Sequence, residues 1–177
     1  RGVIWYQGES NAHNVELFAT EFPTLVDSWR RAWSDEAMPF HFVQLSSISR
    51  PSWPHFRDVQ RQLAEEIDHC EMAVSSDKGD SLDVHPRNKK PVGERLALQA
   101  LKNNYGRQLV AAGPEYASHY TRGTSIIVSF DNADALSSSD GLPLATFEIA
   151  GADGIFHPAK ALIKGNSVKV HSSKVKH

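Results

Sequence analysis

Two short polar stretches contain the side chains that could carry out a reaction. In one of them, Asp83 stands two residues before His85, a spacing at which a carboxylate can accept the Nδ1–H of an imidazole. That bond would fix the tautomer and leave Nε2 free to take a proton from a hydroxyl group. Pro86 restricts the backbone beside the ring. The stretch predicts a general base with its orienting acid, and a solvated polar loop is the alternative for an isolated Asp-x-His pair.

The other stretch follows an apolar run at residues 3–7 and extends from Gln7 to Asn11. Gly8 would let backbone N–H groups approach a ligand closely, and Gln7 and Asn11 can each add an amide donor. Such a donor stabilises the oxyanion of acyl transfer by about 3 kcal/mol. The alternative is a turn in which Ser10 or Asn11 caps the next helix. Ser10 is a minor candidate for a nucleophile, because the turn lacks the second glycine of a nucleophile elbow.

Other chemistries have less support in the sequence. Cys70 is the only cysteine, so no intramolecular disulfide and no cysteine zinc cluster can form, and we expect its side chain to be buried. His13, His41 and His55 are scattered without the short helical spacing of a zinc site. We therefore expect no metal and no cofactor.

The charge and hydropathy patterns exclude two classes of partner. The net charge is −2 with acids and bases interspersed, which argues against binding to nucleic acid. No run approaches the roughly 18 apolar residues of a membrane span, so we also expect no membrane partner.

The elements that would position the polar stretches alternate between strands and helices over residues 1–112. Buried strands are predicted by three apolar runs, at residues 3–7, 40–45 and 71–76. Amphipathic spacing predicts a first helix from Val15 to Trp33, with a possible kink at Pro23. A second helix is predicted to begin at Pro54, and its core residues are Phe56, Val59, Leu63 and Ile67. A third is predicted from Pro91 to about Gly106, and its core residues are Val92, Leu96, Leu101 and Tyr105.

This alternation is typical of a parallel sheet with helices on both faces. In such sheets, reactive groups gather at the carboxyl ends of the strands, where both polar stretches lie. Three strands are fewer than the five or six of most such sheets, so we expect the sheet to be incomplete.

Residues 113–177 have a different pattern. Short β-rich runs occur at residues 124–130, 144–150, 159–164 and 167–172, and turn pairs between them are Asp140-Gly141, Asp153-Gly154 and Gly165-Asn166. This pattern predicts an antiparallel, sandwich-like β-rich segment, and we expect it to be truncated.

Taken in order, the strings of this chain resemble one family. The strings are Gly2-Val-Ile-Trp-Tyr-Gln-Gly-Glu-Ser-Asn11, Pro39-Phe-His-Phe-Val-Gln-Leu45, Asp83-Val-His-Pro-Arg-Asn-Lys89 and Gly93-Glu-Arg-Leu-Ala97. They are similar to the sialate (sialic acid-specific 9-)O-acetylesterases, and Phe147–Gly154 is similar to their β-rich C-terminal part. The resemblance covers nearly the whole chain and implies an SGNH-hydrolase fold with a three-layer, flavodoxin-like sheet.

The resemblance also implies a mechanism, in which a Ser-His-Asp triad removes acetyl groups from sugar hydroxyls without a metal. His85 would be the general base and Asp83 its orienting acid. The block that lines the oxyanion hole and the substrate site would consist of Gln7, Gly8, Glu9 and Asn11.

The resemblance places the nucleophilic serine outside this chain. Family members carry it in a Gly-Gln-Ser-Asn-type motif well upstream of the Trp-Tyr-Gln-Gly string, and no Gly-Gln-Ser occurs in these 177 residues. We therefore expect the chain to be the histidine-bearing half of the enzyme, inactive until the missing N-terminal part of the same enzyme supplies the serine.

Three further positions, Arg57, Gln60 and Arg95, are family-like, and Trp53 is a further candidate for contact with a substrate. Arg57 could contact the carboxylate of a sugar, a bidentate partnership that suits arginine, or it could lie on a solvated helix surface. Trp53, predicted in the loop after the second strand, could stack on a sugar or serve as a buried aromatic anchor. Gln60 and Arg95 lie on the second and third predicted helices.

Two other functions stay open. One is a non-catalytic carbohydrate-binding or scaffold module, and the other is an acetyl-xylan-type esterase of the same superfamily. The expected partner is acetylated sialic acid or a related glycan. Such a substrate implies secretion, the periplasm or a lysosome-like compartment.

Overall fold

The computed structural model describes residues 2–175, and the chain divides between Ala111 and Ala112 into two compact units. The first unit alternates strands and helices, whereas the second consists of β-strands. Within residues 2–175 no helix has the length and apolar character needed to cross a membrane.

The first unit contains a parallel three-stranded sheet. Its elements in chain order are β1 Val3–Trp5, α1 Val15–Trp33, β2 Phe40–Val43, α2 Trp53–Glu66, β3 Cys70–Ala73 and α3 Lys90–Asn103. The strands pair in the order β1-β2-β3, so β2 is the central strand of the three.

The alternation of side chains along β2 explains why helices cover both faces of the sheet. Phe40 and Phe42 pack into a core cluster with α1 and α2, whereas Val43 packs on the opposite face against Val92 and Leu96 of α3. All four residues of β2 are buried. The three-layer α/β architecture expected from the sequence is confirmed.

The three strands end two or three residues earlier than the sequence predicts. The apolar runs continue because Tyr6 and Leu45 still pack against the core after the strand hydrogen bonds have stopped. Gln7 and Gln44 consequently lie in loops at the carboxyl edge of the sheet.

The helices match their predicted starts more closely than their predicted ends. α1 continues unbroken past Pro23, and α2 has Pro54 in its first turn. The predicted core face of α3 is wrong at its end, because Leu101 is 38% exposed and Tyr105 lies beyond the helix at 74% exposure. The buried face instead continues from Leu96 to Gln99, three residues later.

The second unit is antiparallel and β-rich, as expected. Its elements are β4 Glu115–Arg122, β5 Ser125–Asp131, β6 Glu148–Ala150, β7 Phe156–Pro158, β8 Lys160–Lys164 and β9 Ser167–His171. One sheet has the order β4-β5-β9-β8, and β6 pairs with β7. The buried core of the unit consists of Ile149, Ala161, Val168 and Val170.

The sequence did not predict β4 or β7. Every residue of β4 is exposed, so this strand has no alternating apolar signal. The predicted turn at Gly165-Asn166 does join β8 to β9, and Gly165 has a φ of +61° that favours glycine.

Candidate active site

The three loops that follow the parallel strands lie at one edge of the sheet, because parallel strands all end on the same side. These loops are residues 6–14, 44–52 and 74–89. Both polar stretches singled out in the sequence belong to them, one to the first loop and one to the third.

The first loop is built on Gly8. Its φ of +148° is a conformation that side chains rarely adopt, and a Cβ at this position would lie 2.8 Å from Cε1 of Phe56. Two backbone turns follow, from Asn11 N–H to the carbonyl of Gly8 and from Asn14 N–H to the carbonyl of Asn11. Asn14 caps α1 by accepting the N–H of Leu17, so the prediction that Ser10 or Asn11 is the cap is wrong.

The amide groups of the first loop are held by each other and by α1. Gln7 Nε2 donates to Asn11 Oδ1 at 2.7 Å, and Asn11 Nδ2 donates to Glu21 Oε2 at 3.1 Å. Glu9 is half-buried in the same turn. Each amide nitrogen has a second N–H, so this block can still offer donors to a ligand.

The second loop is fastened to α2 by a buried amide. Gln60 is 0% exposed, accepts the N–H of Leu45 at 2.9 Å and donates to the carbonyl of Val43 at 3.4 Å. A buried amide without hydrogen-bond partners would destabilise the fold, so these two bonds should persist. Gln60 thereby fixes the backbone between Val43 and Leu45, where the chain leaves β2.

Trp53 is buried, which was one of its two predicted roles. It is the first residue of α2 rather than a loop residue, it is 2% exposed, and its Nε1–H donates to the carbonyl of Ser46 at 2.7 Å. The prediction that Trp53 stacks on a sugar is therefore wrong, because the ring has no free face at the surface.

Arg57 is half-buried on α2 beside the second loop. Its Nη1 donates to Ser47 Oγ at 3.3 Å, and burial lowers the pKa of its guanidinium. Within residues 2–175 no carboxylate forms an ion pair with Arg57. The side chain is thus a partly desolvated cation that can take an anionic partner.

The second and third loops are closely packed against each other. Ser75 is fully buried and donates to the carbonyl of Gln44 at 2.6 Å, and the N–H of Ser49 donates to the carbonyl of Ser81 at 3.1 Å. A Cβ at Gly79 would lie 2.3 Å from the backbone N and O atoms of Ser47. Only glycine allows this approach of the two backbones.

An ion pair attaches the third loop to α3. Arg95 contacts both carboxylate oxygens of Asp77 at 2.6 and 2.8 Å, and it also donates to the carbonyl of Val74 at 2.7 Å. The hydrogen bonds from Arg95 are the main reason that the pKa of Asp77 lies well below its usual range, and Lys78 lowers it further.

Replacing Asp77 with asparagine should lower the free energy of unfolding by about 1 kcal/mol at neutral pH, because the pair is partly solvated. Since the pKa of Asp77 is lower in the folded protein, the pair stabilises fully above the unfolded-state pKa and loses this effect as the pH falls. The difference between the two proteins should therefore shrink below about pH 4. Urea unfolding over this pH range measures it, and a constant difference would contradict the prediction.

Asp83 and His85 are in direct contact. His85 Nδ1 lies 3.1 Å from Asp83 Oδ1, which also accepts the backbone N–H of His85 at 2.9 Å. That backbone bond is the main reason that the pKa of Asp83 is lowered, and the ring contributes less. The His85 side chain is 87% exposed. In the tautomer that donates Nδ1–H to Asp83, Nε2 is open to a substrate.

The segment that carries His85 is attached beside the end of β1. Val84 packs against the core cluster of α1 and α2, and Pro86 is buried. The ammonium of Lys89 lies 4.5 Å from the centre of the Tyr6 ring. Since Tyr6 directly precedes Gln7, the histidine segment and the amide-rich turn are attached to the same corner of the sheet.

Several contacts that shape this edge were not predicted. Gly79 and Ser47 belong to polar loops with no distinctive pattern, and their close approach depends on two loops that are distant in sequence. Lys89 was part of a recognised string, but its contact with Tyr6 had no sequence signal.

Two other places in the chain are less suited to chemistry. The prediction of a buried Cys70 is confirmed, and burial raises the pKa of its thiol to about 12, so it is a poor nucleophile. A cavity of about 280 Å³ in the second unit has no titratable group in its lining, which consists of Thr121, Gly123, Thr124, Ser125, Ile126, Ile149, Ala150, Gly151, Ala152 and Val175. Nor do residues 2–175 contain three or more His, Cys, Asp or Glu side chains grouped as a metal site.

Comparison with known proteins gives a consistent result. A family model described as carbohydrate esterase, sialic acid-specific acetylesterase, matches residues 1–102. The sialate O-acetylesterases of Mus musculus and Homo sapiens are 35% and 34% identical to this chain in alignments 137 residues long, which cover 64% of the chain. A crystal structure of a carbohydrate acetylesterase from Xanthomonas citri superposes with a TM-score of 0.90 at 36% identity over 98% of the chain.

The chain spans only part of these proteins. It covers 25% and 26% of the two mammalian relatives and 42% of the bacterial structure. All the residues of the carboxyl-edge loops lie within the region that the family model matches.

Proposed function

Because this chain belongs to the sialic acid-specific acetylesterase family of carbohydrate esterases, we propose that it supplies the general base of an esterase that removes O-acetyl groups from sialic acid. The observation that carries the proposal is the 3.1 Å contact between His85 Nδ1 and Asp83 Oδ1, on an exposed loop at the carboxyl edge of the sheet. Acetyl transfer through a serine needs such an oriented imidazole.

In the proposed reaction, a serine hydroxyl attacks the acetyl carbonyl while His85 Nε2 accepts its proton. Asp83 keeps the ring in the required tautomer and stabilises the imidazolium. The oxyanion is held by N–H groups of the turn at Gly8 and by amide donors of Gln7 or Asn11. His85 then returns the proton to the departing sugar oxygen, and water releases acetate from the acyl-enzyme in the same way.

The nucleophilic serine is proposed to come from a part of the enzyme that these 177 residues do not include. The coverage of 42% of the bacterial acetylesterase structure supports this division. Within the chain, Ser10 lies in a turn that lacks the two-glycine elbow pattern. A secreted, periplasmic or lysosome-like setting would fit an enzyme that meets acetylated glycans.

The proposal is tested with a protein that joins this chain to the serine-bearing part of the enzyme. Release of acetate from 9-O-acetylated sialic acid should exceed release from acetyl-xylan, and the 177-residue chain alone should release none. Preference for acetyl-xylan would favour the plant-polysaccharide esterase. Failure with every acetyl ester would favour a carbohydrate-binding module.

Arg57 is proposed to bind the carboxylate of the sugar. Replacing it with glutamine should raise KM for O-acetylated sialic acid about 10- to 100-fold, because a hydrogen bond to a charged group contributes about 1.5–3 kcal/mol. Activity on a neutral acetyl ester such as p-nitrophenyl acetate should change little.

The matched control for this prediction is Arg61→Gln on the same helix. Arg61 pairs with Asp58 and Glu65 on the surface, so replacing it should leave KM and activity unchanged for both substrates. An equal loss on both substrates in Arg57→Gln would show a structural role instead.

A further inference from the structure

One side of the four-stranded sheet in the second unit is rich in cations. Val168 and Val170 of β9 point into the core, so Ser167, Lys169 and His171 lie on the opposite side. We call this side the outer face and define it as Ser118, Tyr120 and Arg122 of β4 together with the residues in register with them on β5, β9 and β8.

Four cations lie on the outer face, in three successive cross-strand rows. Arg122 and Lys160 belong to the first row, Lys169 to the second and Lys164 to the third. The rows contain no acidic residue. The nearest acids on β4 and β5, Glu115 and Asp131, face each other beyond the third row. Since the net charge of the chain is −2, this concentration of cations is local.

Protection of a sheet edge explains only part of this pattern. Cationic side chains commonly blunt exposed edge strands, which accounts for Lys160 and Lys164 on β8 and for Arg122 on β4, the other edge of the sheet. Lys169, however, is on the inner strand β9, with Ile127 and Leu162 as its cross-strand neighbours. In the part of the chain that the structure describes, none of the four cations forms an ion pair.

The other side chains of the outer face indicate what would bind there. Tyr120 lies in the same row as Lys169 and is 54% exposed, so its ring can stack on the apolar side of a sugar. Ser118, Ser129 and Ser167 form a row of hydroxyls that can bond to sugar hydroxyls. The cations lie on three of the four strands and span the width of the sheet, about 14 Å, which suits an extended ligand rather than a single ion.

We propose that the outer face binds an acidic carbohydrate chain, with Arg122, Lys164 and Lys169 contacting its carboxylates and Tyr120 stacking on a sugar ring. The choice of a carbohydrate over another polyanion rests on the proposed function. The presence of the cationic surface is an observation that does not depend on that function. In an esterase acting on sialylated polymers, such a face would retain the polymer between successive hydrolyses.

The test measures binding of the full chain to polysialic acid by isothermal titration calorimetry, with dextran as a neutral polymer and a single-stranded oligonucleotide as a different polyanion. The double variant Lys164→Gln/Lys169→Gln should bind polysialic acid about five- to tenfold more weakly, since each exposed charge contact contributes a few-fold. Tyr120→Leu should weaken the binding of polysialic acid as well. Dextran should not bind.

The matched control is Lys102→Gln/Lys174→Gln, which removes the same charge from exposed lysines outside the outer face. Its affinity should stay within about twofold of the parent chain, because neither lysine belongs to the cross-strand rows that would contact the polymer. An equal loss in both double variants would overturn the proposal, as would tighter binding of the oligonucleotide. Because the measurement involves no ester, polysialic acid binding by this chain, together with failure of the joined enzyme to release acetate from any acetyl ester, would reject the proposed function and keep this inference. Hydrolysis of acetyl esters by the joined enzyme, with polysialic acid binding that does not depend on the outer-face lysines, would keep the proposed function and reject this inference.

Discussion

Replacing His85 with alanine in the complete esterase is expected to lower kcat about 10⁴- to 10⁶-fold, with little change in KM. The imidazole is the only group in the proposed reaction that accepts the serine proton, so its loss removes a step that binding cannot replace. Asp83→Asn should lower kcat by about 10⁴-fold, because an amide would favour the wrong tautomer of His85. Initial rates of acetate release at saturating substrate measure both effects.

The pH dependence of the parent enzyme adds a second test of this role. The lowered pKa of Asp83 keeps its carboxylate ionised throughout the working range, so protonation of Asp83 should not limit the rate near neutral pH. A matched control for His85→Ala is His119→Ala, because His119 is an exposed residue of β4 whose ring contacts Tyr116 and lies outside the proposed site. If His85→Ala retained more than a tenth of the parent rate, His85 would not be the general base.

Replacing Gly79 with alanine is expected to damage both stability and activity. The new Cβ would lie 2.3 Å from backbone atoms of Ser47, so the second and third loops must separate. Overpacking of this kind costs about 1–3 kcal/mol, or more when backbone must move. Since the third loop carries His85, a displacement of about 1 Å should lower kcat about 100-fold. Thermal unfolding and initial rates on one preparation measure the two effects together.

The chain offers a matched control in Gly93→Ala on α3. Nothing lies within 4 Å of a Cβ built at Gly93, and its backbone is helical, so alanine should stabilise the protein by about 0.5–1 kcal/mol with unchanged kcat. If Gly79→Ala matched the parent in both measurements, close packing of the two loops would not be what positions the histidine.

Helix and strand positions in the first unit were largely predictable, because their core residues repeat at regular spacing. Phe18, Phe22 and Val26 follow a helical period, and Phe40 and Phe42 alternate along a strand. The predicted ends of the strands were wrong where a buried apolar side chain belongs to a loop. Tyr6 and Leu45 looked like strand residues because they are apolar, although they pack from loops.

The proposed site was predictable where its chemistry is local. Asp83 and His85 are two residues apart, so their contact needs no long-range information. The same is true of Gly8, whose place directly after an apolar run indicated a tight turn. Trp53 shows the limit of this reasoning, since an aromatic residue after a strand can face either a ligand or the core.

The residues alone were enough to predict the kind of chemistry now proposed, since the Asp83–His85 spacing and the amide-rich turn depend on neighbours in the chain. What needed the folded chain is the arrangement of those groups at one corner of the sheet. The contacts of Gly79 with Ser47 and of Lys89 with Tyr6 join segments more than 30 residues apart. Such contacts exist only because parallel strands bring distant loops to the same edge, and no local pattern of residue types records that proximity.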